Sequence, residues 1–101
     1  MNTSARKLLD ISGRVCLITG ATGYCGRSIT HALSELGCDV IILDHPKSDL
    51  NKLSNEISGK YGNKVSIISC DLEKSKEIDE IPSIIKNEFG YFDILINNAA
   101  F

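Results

Sequence analysis

Thr19-Gly20-Ala21-Thr22-Gly23-Tyr24-Cys25-Gly26 lies between two unlike patterns, and that position narrows what the chain can become. Before it runs Arg14-Val15-Cys16-Leu17-Ile18, which reads as a buried strand over 14–19. After it, Ile29, Ala32, Leu33 and Leu36 recur at i, i+3, i+4 and i+7, the spacing of one helical face. They predict a helix over 24–36, stopped by Gly37. A strand, a glycine-rich turn and a helix in that order form a site for the phosphates of a dinucleotide. Glycine permits the tight turn and close approach of the backbone to a pyrophosphate. The helix N-terminus offers free N–H groups and the positive end of its dipole.

The rest of the chain repeats the alternation. Residues 1–13 read as a lead-in arm. Asp39-Val40-Ile41-Ile42-Leu43-Asp44 is a second strand, ended by His45-Pro46. Ser48 or Asp49 can cap a helix carrying Leu50, Leu53 and Ile57, which ends near Gly59–Gly62. A third strand is predicted over 64–69, a helical region over about 74–89 and a fourth strand over 92–96. Pro82 lacks an N–H and disfavours helix at Ile81, so a break is expected at 79–82, with Ile84, Ile85 and Phe89 facing the sheet. Strands that are nearly continuously apolar and alternate with helices imply a parallel sheet covered on both faces. The right-handed crossover rule then favours strand order 3-2-1-4. The expected fold is α/β: a Rossmann-type, doubly wound parallel sheet in three α/β/α layers.

Composition excludes several other roles. The 101 residues suit one domain. A net charge of −2 provides no basic field, so nucleic acid is not an expected partner. No apolar run approaches membrane-spanning length and Arg6-Lys7 flanks no signal-like segment, so no membrane partner is expected and a cytoplasmic location is the default. Cys16, Cys25, Cys38 and Cys70 show no C-x-x-C spacing, so no metal site is expected. Cys16 and Cys70 fall in strands as small hydrophobes, whereas Cys25 opens the first helix.

Three further strand ends can carry chemistry, because open parallel sheets bind ligands outside the carboxyl ends of their strands. Asp44 can accept hydrogen bonds from both hydroxyls of an adenosine ribose and would repel a 2′-phosphate. No arginine follows it, which favours NAD over NADP. Asp71 can bond the adenine amino group, with Leu72 packing on the ring, or it can cap the following helix. Asn97-Asn98-Ala99-Ala100 suits a place where a cofactor ribose lies against the backbone. His31 reads as solvated, and His45 as a turn residue before proline.

Together, the glycine turn, Asp44, Cys70-Asp71-Leu72 and Asn97-Asn98-Ala99-Ala100 resemble the short-chain dehydrogenase/reductase family. Phe89-Gly90-Tyr91-Phe92-Asp93-Ile94-Leu95-Ile96-Asn97-Asn98-Ala99-Ala100 resembles its fourth-strand signature. The resemblance covers essentially the whole chain but only the N-terminal, cofactor-binding half of the family's domain. It implies that Gly20, Ala21, Thr22, Gly23 and Tyr24 cradle the pyrophosphate, with Gly26 closing the turn. It also implies that Asp44 sets NAD preference, Asp71 and Leu72 hold adenine, and Asn98, Ala99 and Ala100 border the ribose on the nicotinamide side. The expected activity is hydride transfer between nicotinamide and the alcohol or carbonyl carbon of a small-molecule substrate, by a protein that is a homo-oligomer when complete.

Two features depart from the pattern. The glycines read T-G-x-x-G-x-x-G, which resembles the extended branch of nucleotide-sugar epimerases and dehydratases. The family's chemistry also needs a serine and a Tyr-x-x-x-Lys pair. Tyr24, Tyr61 and Tyr91 are followed four residues later by Ser28, Val65 and Leu95, so none matches and no catalytic residue is assigned. The chain is therefore expected to be the N-terminal piece of a dehydrogenase, with a non-catalytic dinucleotide-binding module as the alternative.

Overall fold

The structure is a computed structural model, and it describes residues 4–99. Strands β1 (Val15–Thr19), β2 (Asp39–Asp44), β3 (Val65–Ser69) and β4 (Ile94–Asn97) form one parallel sheet in the order β3-β2-β1-β4. Helices α2 (Tyr24–Glu35), α3 (Leu50–Tyr61) and α4 (Ser75–Glu88) make the crossovers. A short helix α1 (Ala5–Leu8), capped by the Ser4 hydroxyl, occupies part of the expected lead-in arm.

Strand alternation supplies two cores. Cys16, Ile18, Val40 and Ile42 point to one face, where Leu50, Leu53 and Ile57 of α3 cover them. Val15, Leu17, Ile41 and Leu43 point to the other, where Ile85 of α4 packs, joined by Ile81, Ile84 and Phe89. Burying each of these large aliphatic side chains contributes about 1.5–3 kcal/mol. The α/β/α layering and the strand order are those expected from the sequence.

Three local expectations fail. Helix α4 runs unbroken through Pro82. A proline inside a helix removes one bond and costs about 3 kcal/mol. Ile81, Ile84, Ile85 and Phe89 flank Pro82 in sequence, and their packing on the sheet offsets that loss. The second concerns α2. Its face on the sheet is Gly26, Thr30 and Ser34, while Ala32 and Leu36 are exposed and Ile29 and Leu33 half-buried. Small residues line that face because α2 packs closely on the glycine turn at Gly26, leaving space only for short side chains. The Thr30 hydroxyl returns its proton to the Gly26 carbonyl at 2.7 Å.

The ends of α3 follow ordinary capping chemistry. The Asp49 carboxylate accepts the Lys52 N–H and starts α3, and Gly62 at φ +74° ends it. His31 is not solvated as its sequence position suggests. Its Nε2 lies 2.9 Å from Glu56 Oε2 and its Nδ1 2.9 Å from the Tyr61 hydroxyl, tying α2 to α3. Arg27 completes the cluster, and its hydrogen bond, followed by that of His31, holds the Glu56 carboxyl below its usual range.

Register fixes what shares an edge. Thr19 pairs with Leu43 on β2 and with Asn97 on β4, and Asp44 pairs with Ser69 on β3. All four strands therefore end at one level. The residues after them, Gly20, His45, Cys70 and Asn98, emerge along one line at the carboxyl edge.

Candidate functional site

The glycine turn is built by backbone requirement. Gly20 sits at φ +65°, where a side chain is strained. A β-carbon there would approach the Ala99 Cα to 3.0 Å and the Asn98 amide nitrogen to 3.3 Å. Gly26 is tighter: its β-carbon would fall 2.8 Å from the Gly20 carbonyl carbon and 2.9 Å from Asn98 Nδ2. Gly23 meets only ordinary contact, 3.4 Å from the Gly20 oxygen. Gly23 is also the N-cap of α2 and provides no side chain to satisfy the helix's first N–H groups. Ala21 is fully buried and donates its N–H to the Leu43 carbonyl at 3.2 Å. The Tyr24 side chain stands almost wholly in solvent.

Thr19 is a site residue that the sequence reading passed over. Its hydroxyl oxygen accepts the N–H groups of Asn98 at 3.0 Å and Ala99 at 3.1 Å, and its own proton faces Asn97 Oδ1 at 3.2 Å. Asn98 Nδ2 donates to the Gly20 carbonyl at 3.3 Å. The exit of β4 is thus fastened to the glycine turn through one threonine and one asparagine. A threonine opening the glycine run was the available signal, but nothing in its spacing tells that the hydroxyl faces another strand.

Asp44 is held more firmly than a solvated strand end. Its Oδ2 accepts the Thr22 N–H at 2.9 Å and the Thr22 hydroxyl at 2.6 Å. Its Oδ1 accepts the His45 N–H at 2.7 Å and the Ser48 hydroxyl at 3.1 Å. Burial opposes ionisation of this carboxyl. The donors outweigh burial, led by the Thr22 hydroxyl, so Asp44 stays below the usual carboxylate range. Asp44 therefore binds the glycine turn to the β2 exit as well as facing the cleft.

The alternative that Asp71 caps the following helix fails, since Lys74 holds that position. Its Oδ1 accepts the Glu73 N–H at 3.0 Å, and its own N–H reaches Glu77 Oε1 at 3.2 Å. Leu72 packs at the border of the second core. Gly20, Leu43, Asp44, His45, Cys70, Asp71, Leu72, Glu73 and Ala99 line one cleft of about 190 Å³. Of the expected site residues, Gly20, Asp44, Asp71, Leu72 and Ala99 meet in that cleft, Ala21, Thr22, Gly23, Tyr24 and Gly26 form the adjoining turn, and Asn98 braces it. Ala100 lies outside the described residues.

The thiols divide by burial. Cys16, Cys38 and Cys70 are buried and Cys25 is exposed on the first turn of α2. Burial, aided by Cys38, pushes the Cys16 thiol up to about 12, and burial also raises Cys38 and Cys70. Native protein treated with iodoacetamide at neutral pH should take up label at Cys25 only, and denatured protein at all four cysteines. Peptide mass mapping reads the difference, and native labelling of Cys70 would contradict this packing. Among the described residues no cluster of metal-ligating side chains occurs, and no helix is long and apolar enough to cross a membrane.

Comparison with known proteins agrees with this geometry. The short chain dehydrogenase family model matches residues 14–101. A short chain dehydrogenase/reductase of Gibberella zeae is 33% identical over 100 residues, covering 99% of this chain and 36% of that protein. The structure of L-sorbose reductase from Gluconobacter frateurii, complexed with NADPH and L-sorbose, superposes with TM-score 0.85 at 26% identity, covering 90% of this chain and 35% of that one. NAD+-bound xylitol dehydrogenase superposes with TM-score 0.83 at 28% identity, covering 90% and 35%. The chain thus spans little more than a third of the length of these proteins. They are dehydrogenases and reductases, so the glycine spacing by itself does not carry the epimerase and dehydratase reading.

Proposed function

The chain belongs to the short chain dehydrogenase family, and from that premise we propose that it forms the dinucleotide-binding part of an oxidoreductase acting on an alcohol or carbonyl compound. The observation that carries this reading is the meeting of Gly20, Asp44, Asp71, Leu72 and Ala99 at one cleft on the carboxyl edge of a parallel sheet.

A nicotinamide dinucleotide fits the residues present. The missing β-carbons of Gly20 and Gly26 let the turn, the start of α2 and the β4 exit pack closely, and α2 begins with no side-chain cap, so its N–H groups remain for a phosphate. The bound cofactor supplies the hydride chemistry. In this reading the turn 20–24 holds the pyrophosphate, Asp44 accepts from the ribose hydroxyls, and Asp71 accepts from the adenine amino group. Asn98, Ala99 and Ala100 border the second ribose. Binding and orientation are the tasks of these residues, and the acid–base step belongs to groups outside them.

The cofactor is NAD in this reading. Two of the similar proteins divide between NADPH and NAD+, so the family alone does not decide. Asp44 is an ionised carboxylate where a 2′-phosphate would lie, and Pro46 rather than arginine follows His45. Titration of the full-length protein with each reduced dinucleotide, followed by nicotinamide fluorescence, should give tighter binding of NADH than NADPH. Tighter NADPH binding would refute the assignment.

A further inference from the structure

Helix α2 has little apolar hold on the sheet, although its first N–H groups face the phosphate position. Its buried residues are Gly26, Thr30 and Ser34, and Leu33 is only half-buried. Its neighbour α3 is seated by Leu50, Leu53 and Ile57, all buried in the first core. The two helices meet through Glu56 of α3. Glu56 Oε1 accepts from Arg27 Nη2, and Oε2 lies 2.9 Å from His31 Nε2. An ionised carboxylate only accepts, so Nε2 carries the ring proton and donates it. His31 Nδ1 is 2.9 Å from the Tyr61 hydroxyl, which fixes the ring between two residues of α3. Thr22, Arg27, Asp49, Lys52, Leu53 and Glu56 surround a cavity of about 220 Å³ between the glycine turn and α3. Glu56 reaches across its edge and grips α2 on two successive turns, at Arg27 and His31. A lone exposed ion pair contributes little. Here one carboxylate collects two donors, and the His31 side chain is only 21% exposed.

We propose that Glu56 is a positioning residue for the cofactor's phosphates: with Arg27 and His31 it clasps α2 to α3 and sets where the N–H groups at the start of α2 stand. This inference rests on the dinucleotide reading above. Arg27 follows Gly26 directly, and its own N–H bonds the Gly23 carbonyl at 2.8 Å, so a shift of Arg27 moves the start of α2. The anchor is α3, because its apolar face is buried, and the element that gives way is α2. Asp44 and Asp71 stand at the β2 and β3 exits, outside the clasp. Loosening the clasp therefore weakens the hold on phosphate and spares the nucleoside.

The test is the set of dissociation constants for NADH, ADP and adenosine, measured by titration calorimetry on the full-length protein. Glu56→Ala should bind NADH and ADP about 3- to 10-fold more weakly, the size expected of a change that acts without touching the ligand. Adenosine, which has no phosphate, should bind Glu56→Ala as it binds wild type. A merely structural role would lower the urea midpoint without separating ADP from adenosine. Glu56→Gln keeps the size and one acceptor oxygen, so it should show the same separation with a smaller loss. Arg27→Ala should also weaken ADP binding, and the two alanine changes together should cost less than their sum. Unchanged ADP affinity in the Glu56 variants, equal losses for ADP and adenosine, or additive losses in the double variant would overturn the inference and leave the cofactor reading intact. Failure of the wild-type protein to bind NADH or ADP would overturn both.

Discussion

A Gly26→Ala variant should lose NADH binding and about 3 kcal/mol of stability, the upper end of the usual range for overpacking. The reason is where the added carbon falls. It would lie 2.8 Å from the Gly20 carbonyl carbon and 2.9 Å from Asn98 Nδ2. The first obstacle is backbone, which cannot rotate aside. Helix α2 must therefore lift away from the turn, carrying the N–H groups of its first turn with it. Gly23→Ala is the matched control for stability, because its β-carbon meets only the Gly20 oxygen at 3.4 Å. Urea denaturation and NADH titration of both variants decide the matter. Wild-type stability in Gly26→Ala would show that α2 does not sit on the turn as described.

Asp44→Ala should weaken NADH binding by tenfold or more and narrow the difference between NADH and NADPH. Hydrogen bonds to a charged group contribute about 1.5–3 kcal/mol, which supports a loss of that size. The effect has two sources. One is the lost acceptor for the ribose hydroxyls. The other is the turn itself, because both the N–H and the hydroxyl of Thr22 lose their partner. Thr22→Val separates them: it keeps the carboxylate but removes the hydroxyl that leads the stabilisation of its charge. Binding of NADH should fall in Thr22→Val while preference over NADPH persists. An Asp44→Ala variant with unchanged affinity for both dinucleotides would refute the placement of Asp44 at the ribose.

Asp44 also imposes a pH dependence of known sign. Its folded-state pKa is depressed below 3.8. Its contribution to stability is therefore complete above that value and disappears as pH falls through the folded-state pKa. Urea midpoints measured from about pH 5 down to about pH 2 should decline more steeply in wild type than in Asp44→Asn. Parallel curves would show that the four donors do not stabilise the ionised form.

Much of this was present in the order of residues. Apolar runs such as Val40-Ile41-Ile42-Leu43 leave a parallel strand covered on both faces as the simplest outcome, and helices between them leave few topologies. Glycines 20, 23 and 26 after the first strand localise a tight turn, and three strand ends on the same edge point to one cleft. These features are legible because they depend on local periodicity and on chain direction. Contacts between distant segments are not. The hydroxyl of Thr19 holding Asn98 and Ala99, the four bonds on Asp44 and the closure of His45 on Asp71 join residues whose separation carries no signal. The same limit governs α2, where the stripe of Ile29, Ala32, Leu33 and Leu36 marks a helical face but not the face the sheet takes. Close approach at Gly26 selects Thr30 and Ser34 for that contact, because the space beneath a helix is fixed by how near its backbone comes. Pro82 is the converse case: a local preference for a break yields to the packing of Ile81, Ile84, Ile85 and Phe89, since burial of a whole helical face outweighs one missing hydrogen bond.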